Sequence, residues 1–378
     1  MHTHGGAEKL QVIGGDSTNS MTGWNGGALA HLERLMGHKC MWSICMLHTN
    51  ELPLRRLITE LDGPTNSRDG FTGDIGKLLK KVNGIPMKKL FPAVESGEPL
   101  IELPENVVKN MSTDQNNCYR LVQAVRKGAI TKELSNLKCG PLNHSRWLTT
   151  AEAILSLWMR EHGLHEENYR KLEVLVRFVI NGYFKLYFEI KVKSSLIHGP
   201  EHVLSSIKVY NQQPKEVQDV IRKPLSRGAY HAHSENLLLS LLASTDREDR
   251  EFAIDRILRI RGDSEYGDKS VRAHKTPELN FGCNSLRNLI DWDKTNCYEP
   301  IFTCDLSKDE LSEFKNEPMK PPMYPIHSQS TERAVQEVST AATSVFGQEK
   351  RDGFVRARIA HREVLPVFAS KKDIMQIF

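Results

Sequence analysis

The sequence predicts an α/β protein that is mostly helical. Two short apolar runs near the start, residues 9–16 (KLQVIGGD) and 39–47 (KCMWSICML), read as strands with a helix between them. Long segments of helical periodicity then follow, and residues 113–270 carry no strand signal as clear as the first two. Strand, helix, strand, helix is the order of a parallel-sheet unit, so a small α/β core with a large all-α insertion is the expected architecture.

Each element has a local reason. Residues 9–16 run into a Gly-Gly turn with Asp16 at the carboxyl end of the strand. Residues 26–37 place Ala28, Leu29, Leu32, Leu35 and Met36 at helical spacing and stop at Gly37. The run at 39–47 suits a strand and is too short for a helix. Residues 50–63 read as a helix with Pro53 in the first turn, where a missing N–H costs little. Residues 63–111 are rich in turn residues and proline and form a long excursion. Helices are expected at 113–128 (capped by Thr113 or Asp114), 149–163, 170–191, 234–244 and 246–263, the last with opposite charges on its outer face. A Pro-rich extended run at 316–330 precedes a helix at 330–347 and a basic tail.

The chain has 378 residues, 39% of them hydrophobic and 26% charged, enough for one large or two ordinary domains with a proper core. A net charge of +4, from 51 basic and 47 acidic residues, neither demands nor excludes a nucleic-acid partner. The seven cysteines include no C-x-x-C pair, which argues for a reducing compartment rather than a disulfide framework. The N-terminal ten residues lack the apolar segment of a signal peptide, and no apolar run reaches the roughly 18–20 residues of a membrane span. A soluble, intracellular protein with no membrane partner is expected.

Three candidate chemistries fail on their residues. Cys40, Cys45 and His48 hint at zinc, but C-x4-C-x2-H has no second pair of ligands elsewhere, so no zinc is expected. His231-Ala232-His233 lacks an acidic partner motif and reads as a loop or helix cap ahead of a Leu-rich helix. The Gly-Asp-Ser of GGDSTNS suggests a serine esterase, yet no Asp-x-x-His follows Ser17 to activate the hydroxyl.

A fourth pattern spans nearly the whole chain, from about residue 9 to about residue 345. Asp16 ends the first strand with Asn19 just beyond it. Cys45-x-x-His48 follows the second strand and leads into Asn50-Glu51-Leu52. Arg146-Trp147 opens a helix, and far downstream Thr331-Glu332-Arg333 lies in the first turn of another. In order and spacing this resembles the catalytic core of the hAT superfamily of DNA transposases and their domesticated relatives. HTNELPLR, HSRWLTT and RDGFVRARI are similar to animal proteins derived from such elements. Asn-Glu-Leu stands where the family has Leu-Asn-Leu, and Thr331 where it has Ser.

The resemblance implies an RNase H-like core interrupted by a large helical insertion. The divisions would be a disordered terminus at 1–8, a partial core at 9–145, the insertion at 146–320, a returning core helix carrying Glu332 at 321–347 and a basic tail at 348–378. Asp16 and Glu332 would be the catalytic, metal-holding carboxylates. Oxygen ligands of this kind suit Mg2+ or Mn2+, two of which, about 3.5–4 Å apart, clamp the oxygens of an in-line phosphoryl transfer. Cys45, His48, Arg146, Trp147, Arg333, Arg356 and Arg358 would face DNA, with an exposed Trp147 stacking on a base taken out of the duplex. A DNA partner places the protein in the nucleus.

The family's first catalytic Asp lies well upstream of the one matched by Asp16. Only fifteen residues precede Asp16, and Glu8 is their only acid. The first strands and that first carboxylate are therefore expected to be absent, and with them strand transfer by this chain alone. That leaves the N-terminally truncated, C-terminal part of a longer product, a degenerate or repurposed copy, or a non-catalytic module for nucleic acid or protein. An open sheet edge is then expected to be covered by a second copy or a partner chain.

Overall fold

A computed structural model of the chain describes residues 9–66, 70–95, 102–109, 111–142, 147–262, 276–321, 323, 324, 326, 347 and 349. Helix predominates, with a small sheet, as expected of a mostly helical α/β protein. In chain order the described elements are β1 (Val12–Gly15), α1 (Asn19–Thr22), α2 (Ala28–Met36), β2 (Met41–Ile44) and α3 (Met46–Asp62). A short hairpin, β3 (Thr65–Asn66) and β4 (Gly70–Phe71), leads to α4 (Asp74–Lys80) and α5 (Glu105–Lys109). Then come α6 (Thr113–Lys127), α7 (Lys132–Ser135), α8 (Trp147–Trp158), α9 (Glu166–Phe178) and, across a π-helical turn at Val179–Phe184, α10 (Lys185–Val192). The remainder is α11 (Gly199–Asn211), α12 (Lys215–Gly228), a 3-10 turn at Ala229–Ala232, α13 (Ser234–Leu242), α14 (Arg247–Gly262) and α15 (Lys308–Glu313). No described helix is long and apolar enough to cross a membrane.

The chain divides into two compact units, residues 1–49, 193–204 and 226–378 in one, and 50–192 and 205–225 in the other. In the first, β1 and β2 pair in parallel with Val12 opposite Met41 and Gly15 opposite Ile44. The intervening α2 supplies the crossover that parallel pairing needs. It ends at Gly37, whose φ of 74° is left-handed and whose N–H closes on the Glu33 carbonyl. Leu29 and Ala30 of α2 pack with Ile13, Trp42, Ile44 and Tyr230 in one buried cluster. Every residue of α13 is buried, its five leucines together with the polar Ser234, Glu235, Asn236 and Ser240.

The parallel ladder turns the backbone groups of Met41 and Ser43 toward β1 and those of Trp42 and Ile44 away from it. Those outward carbonyls do not stay open. Asn236 donates from Nδ2 to the Trp42 carbonyl at 3.4 Å, and His231 from Nε2 to the Ile44 carbonyl at 2.6 Å. On β1 the outward groups belong to Val12 and Gly14, for which no backbone partner is found among the described residues.

In the second unit α6 and α8 pack side by side, with α4 and α9 also against α8. Eleven of the twelve residues of α8 are buried, Leu148 being the exception. The Pro-rich excursion is pinned by Val94 N–H to the Val125 carbonyl at 3.1 Å and by Trp158 Nε1 to the Pro92 carbonyl at 3.0 Å.

Several boundaries differ from the sequence expectation, each for a local reason. Helix α3 starts at Met46 rather than at residue 50, because the Met46 N–H is taken by the Ile326 carbonyl and Thr49 already bonds back to Cys45. Pro53 therefore lies inside the helix, leaving the Thr49 carbonyl without its usual donor. Ser112, not Thr113 or Asp114, caps α6, in a capping box with Gln115. Helix α8 ends at Trp158 because Arg160 pairs with Met87 in an isolated bridge and Glu161 N–H turns to the Pro86 carbonyl. Arg250 of α14 does not join the charged outer face. It is buried and donates to the carbonyls of Ser244, Thr245, Phe314 and Lys315. The expected helix at 330–347 and the basic tail lie outside the described residues, apart from Gly347 and Glu349.

Candidate functional site at the carboxyl end of the parallel strands

Loops that leave the carboxyl ends of parallel strands converge and are the usual place for ligands in open α/β sheets. Here the ladder continues one step past the strands, with Cys45 N–H on the Gly15 carbonyl at 2.7 Å. Asp16 follows at once. Its Oδ1 accepts from the Thr18 N–H at 2.9 Å and the Thr18 hydroxyl at 2.5 Å, and that hydroxyl lies 2.9 Å from the Ser20 Oγ. The carboxylate is thus locked in an Asx turn, with Oδ2 left over. Ser17 beside it is fully buried and its Oγ has no partner among the described residues.

At the end of β2, Cys45 is half-buried and in no disulfide, and His48 is half-buried in the first turn of α3. They stand three residues apart at the head of the helix, within the unit that holds Asp16. A strap of chain passes this point. Ile326 N–H bonds the Ser194 carbonyl at 2.8 Å, its own carbonyl accepts from Met46, and the Tyr324 carbonyl accepts from Leu196 at 2.6 Å. Tyr324 is further fixed by its hydroxyl on Gln11 Oε1 at 2.8 Å and by stacking on Phe302.

His231 closes the other side. A carbonyl only accepts, so the bond to Ile44 makes Nε2 the protonated nitrogen and leaves Nδ1 bare. Burial, reinforced by nearby His202 and opposed by the Ile44 carbonyl, pushes its pKa down to about 4. Nδ1 has no partner among the described residues, and a Cβ on Gly199 would lie 2.4 Å from it. Glycine at 199 is what lets the ring approach.

Of the residues named from sequence, Asp16, Cys45 and His48 lie around the strand ends. Trp147 belongs to the other unit and is 2% exposed, its ring edge-on to Phe71 at 6.0 Å. The exposed ring expected there is thus corrected to a core aromatic, which fills space between α8 and the hairpin. Arg146, Glu332, Arg333, Arg356 and Arg358 lie outside the described residues. Among the described residues no group of three or more His, Cys, Asp or Glu side chains is placed to hold a metal ion. At this end they supply one carboxylate, Asp16, half committed to Thr18, whereas two cations need several. The described residues do not by themselves fit Mg2+ or Mn2+.

Among the carboxyls of the other unit whose titration is displaced, two are shifted furthest and were not named as site residues from sequence, although Glu51 lies in the Asn50-Glu51-Leu52 run. Burial lifts Glu51 to about 8 against the pull of Arg55, and lifts Glu152 to about 7 against a hydrogen bond from Asn117. In the first unit, Trp24 is 49% exposed in a Gly-rich turn, a position whose composition alone signals that the ring cannot reach a core. Comparison with protein-family models, curated proteins and solved structures finds no match to this chain.

Proposed function

We propose that this chain is a nuclear, nucleic-acid-binding protein of hAT-transposase descent, built on an RNase H-like core that no longer cuts DNA. One observation carries the reading. Asp16 stands at the carboxyl end of β1, and the 324–326 strap brings the chain to the head of α3, six residues ahead of Glu332 in sequence. Ancestral metal chemistry would need both carboxylates at that end with others beside them, and the tie between Asp16 Oδ1 and Thr18 favours a structural role for the first.

The test compares binding with cleavage. DNA binding by the full chain is expected to weaken with salt, to survive Asp16→Asn and Glu332→Gln, and to fall when Arg356 and Arg358 are neutralised. Cleavage of DNA in Mg2+ or Mn2+ that disappears in the two carboxylate variants would instead make the protein a nuclease. The outward edge of β1 at Val12 and Gly14 supports a second copy adding its own strand there. A mass in solution that stays monomeric across concentration would remove that part of the proposal.

A further inference from the structure

The turn between α1 and α2 exposes a tryptophan on a frame that cannot move far. Residues 22–27 read Thr-Gly-Trp-Asn-Gly-Gly, and Trp24 is 49% exposed at their tip. The Gly27 N–H closes on the Gly23 carbonyl at 2.8 Å. A Cβ on Gly23 would meet the Asn19 carbonyl oxygen at 2.7 Å, and one on Gly27 would meet the Gly23 nitrogen at 2.5 Å and the Met21 oxygen at 2.7 Å. Both positions therefore demand glycine. Arg34 reaches back from α2 and clamps the residue after the tryptophan, donating from Nη1 to the Asn25 carbonyl at 2.6 Å and from Nη2 to Asn25 Oδ1 at 3.1 Å. The backbone beneath the ring, held this way, loses little freedom on binding, which favours an anchor.

The stretch of chain that carries the ring, just after the half-buried Asp16, is one-sided in charge. Between Ser17 and Asn50 the only acid is Glu33, which is fully buried with Oε1 taken by the Cys40 N–H and the Trp42 Nε1–H. The same stretch carries Arg34 and Lys39, with His31 exposed one turn before Arg34 on α2. Arg34 meets no carboxylate among the described residues, and two of its five guanidinium N–H groups serve Asn25. The rest remain for an anion. An exposed indole on a fixed turn, with the Arg34 guanidinium bonded to the next residue and no exposed carboxylate from residues 17–50, matches a flat base followed by a phosphate.

We propose that Trp24 and Arg34 form a contact point for single-stranded nucleic acid, with an unpaired base stacked on the indole and the neighbouring phosphate bonded by the guanidinium. This rests on the nucleic-acid reading above and narrows its ligand to an unpaired strand. It also gives the stacking role to a ring in the same unit as Asp16, since Trp147 is buried.

The experiment uses the full chain and a labelled oligothymidylate of about 15 nucleotides, with a blunt duplex of the same length alongside, read by fluorescence anisotropy. Trp24→Ala is expected to weaken the single strand by roughly five- to hundred-fold and leave the duplex unchanged. Trp24→Phe keeps a ring and holds most of the affinity. Arg34→Gln weakens the single strand too and lowers the salt slope by about one ion. Melting curves confirm folding, and the arginine variant, with its ring intact, keeps the question answerable if the alanine variant folds badly. Unchanged single-strand affinity in Trp24→Ala overturns the proposal, while loss on neutralising Arg356 and Arg358 would leave the broader reading standing. Wild-type protein that binds neither ligand overturns both. A change of oligomeric mass in Trp24→Ala, with binding intact, makes the ring a self-association contact and overturns this proposal alone.

Discussion

His231 shows what one side chain does for the end of a strand. Its Nε2–H takes the last outward carbonyl of β2, and its position 187 residues along the chain from Ile44 hid that bond from the sequence. His-Ala-His reads as a loop, and the 3-10 turn at Ala229–Ala232 agrees, but nothing local says that the ring is fully buried. The burial has a pH signature. A histidine held neutral, with its pKa moved from 6.5 to about 4, gives stability that is complete above pH 6.5. Below that the unfolded chain binds the proton first, and the contribution drains away as pH falls toward 4. The full contribution is on the order of 3 kcal/mol. His231→Gln keeps an N–H donor and removes the titration. Its urea midpoint is expected to lie below wild type at pH 7 and to change less between pH 6.5 and 4. Parallel acid limbs for the two proteins would contradict this.

At the scale of elements, legibility followed periodicity. Helices α2, α6, α8, α13 and α14 stand where apolar spacing put them, because each buries one face or all faces within a single unit. Helices α11 and α12 were not legible. The first opens on Gly199-Pro200, which reads as a turn although proline suits a first helical turn, and the second carries Pro224 inside. Helix α8 adds a point that no pattern displays, a fully buried Glu152 amid leucines, alanines and tryptophans. Its acid form is favoured in the folded state, with the pKa raised from 4.5 to about 7 chiefly by burial. The sign is opposite to that of His231: the contribution is intact below pH 4.5 and lost as pH rises through 7. Glu152→Gln can still accept from the Asn117 amide and never ionises. It is expected to exceed wild type in stability at pH 8, by on the order of 3 kcal/mol, and to match it near pH 4.5. Chemical denaturation at the two pH values checks this, and a variant weaker than wild type at pH 8 would show that the ionised carboxylate is stabilising.

For the whole molecule, the sequence conveyed class and strand order but not what faces what. Asp16, Cys45 and His48 stand at the strand ends because a strand end fixes its neighbours, while the exposure of Trp147 depended on packing by Phe71, 76 residues upstream. The seven cysteines make the same point with a testable consequence. Spacing argued against a disulfide framework, and none of the seven is in a disulfide. Cys40, Cys118, Cys139, Cys283 and Cys297 are buried, Cys45 is half-buried and Cys304 is exposed. Burial also lifts the thiols that titrate, Cys139 to about 12, Cys297 to about 11, and Cys118 and Cys304 upward as well. Thiolate is the reactive form, so even the exposed Cys304 reacts slowly at neutral pH. Native protein is therefore expected to yield at most two thiols to a disulfide reagent, Cys304 and Cys45, with Cys304→Ser removing one. Protein unfolded in urea yields all seven, and the stability in urea does not change with added reductant. A native count above two would mean that the buried sulfurs open readily, and a reductant-dependent midpoint would mean that two of them are joined.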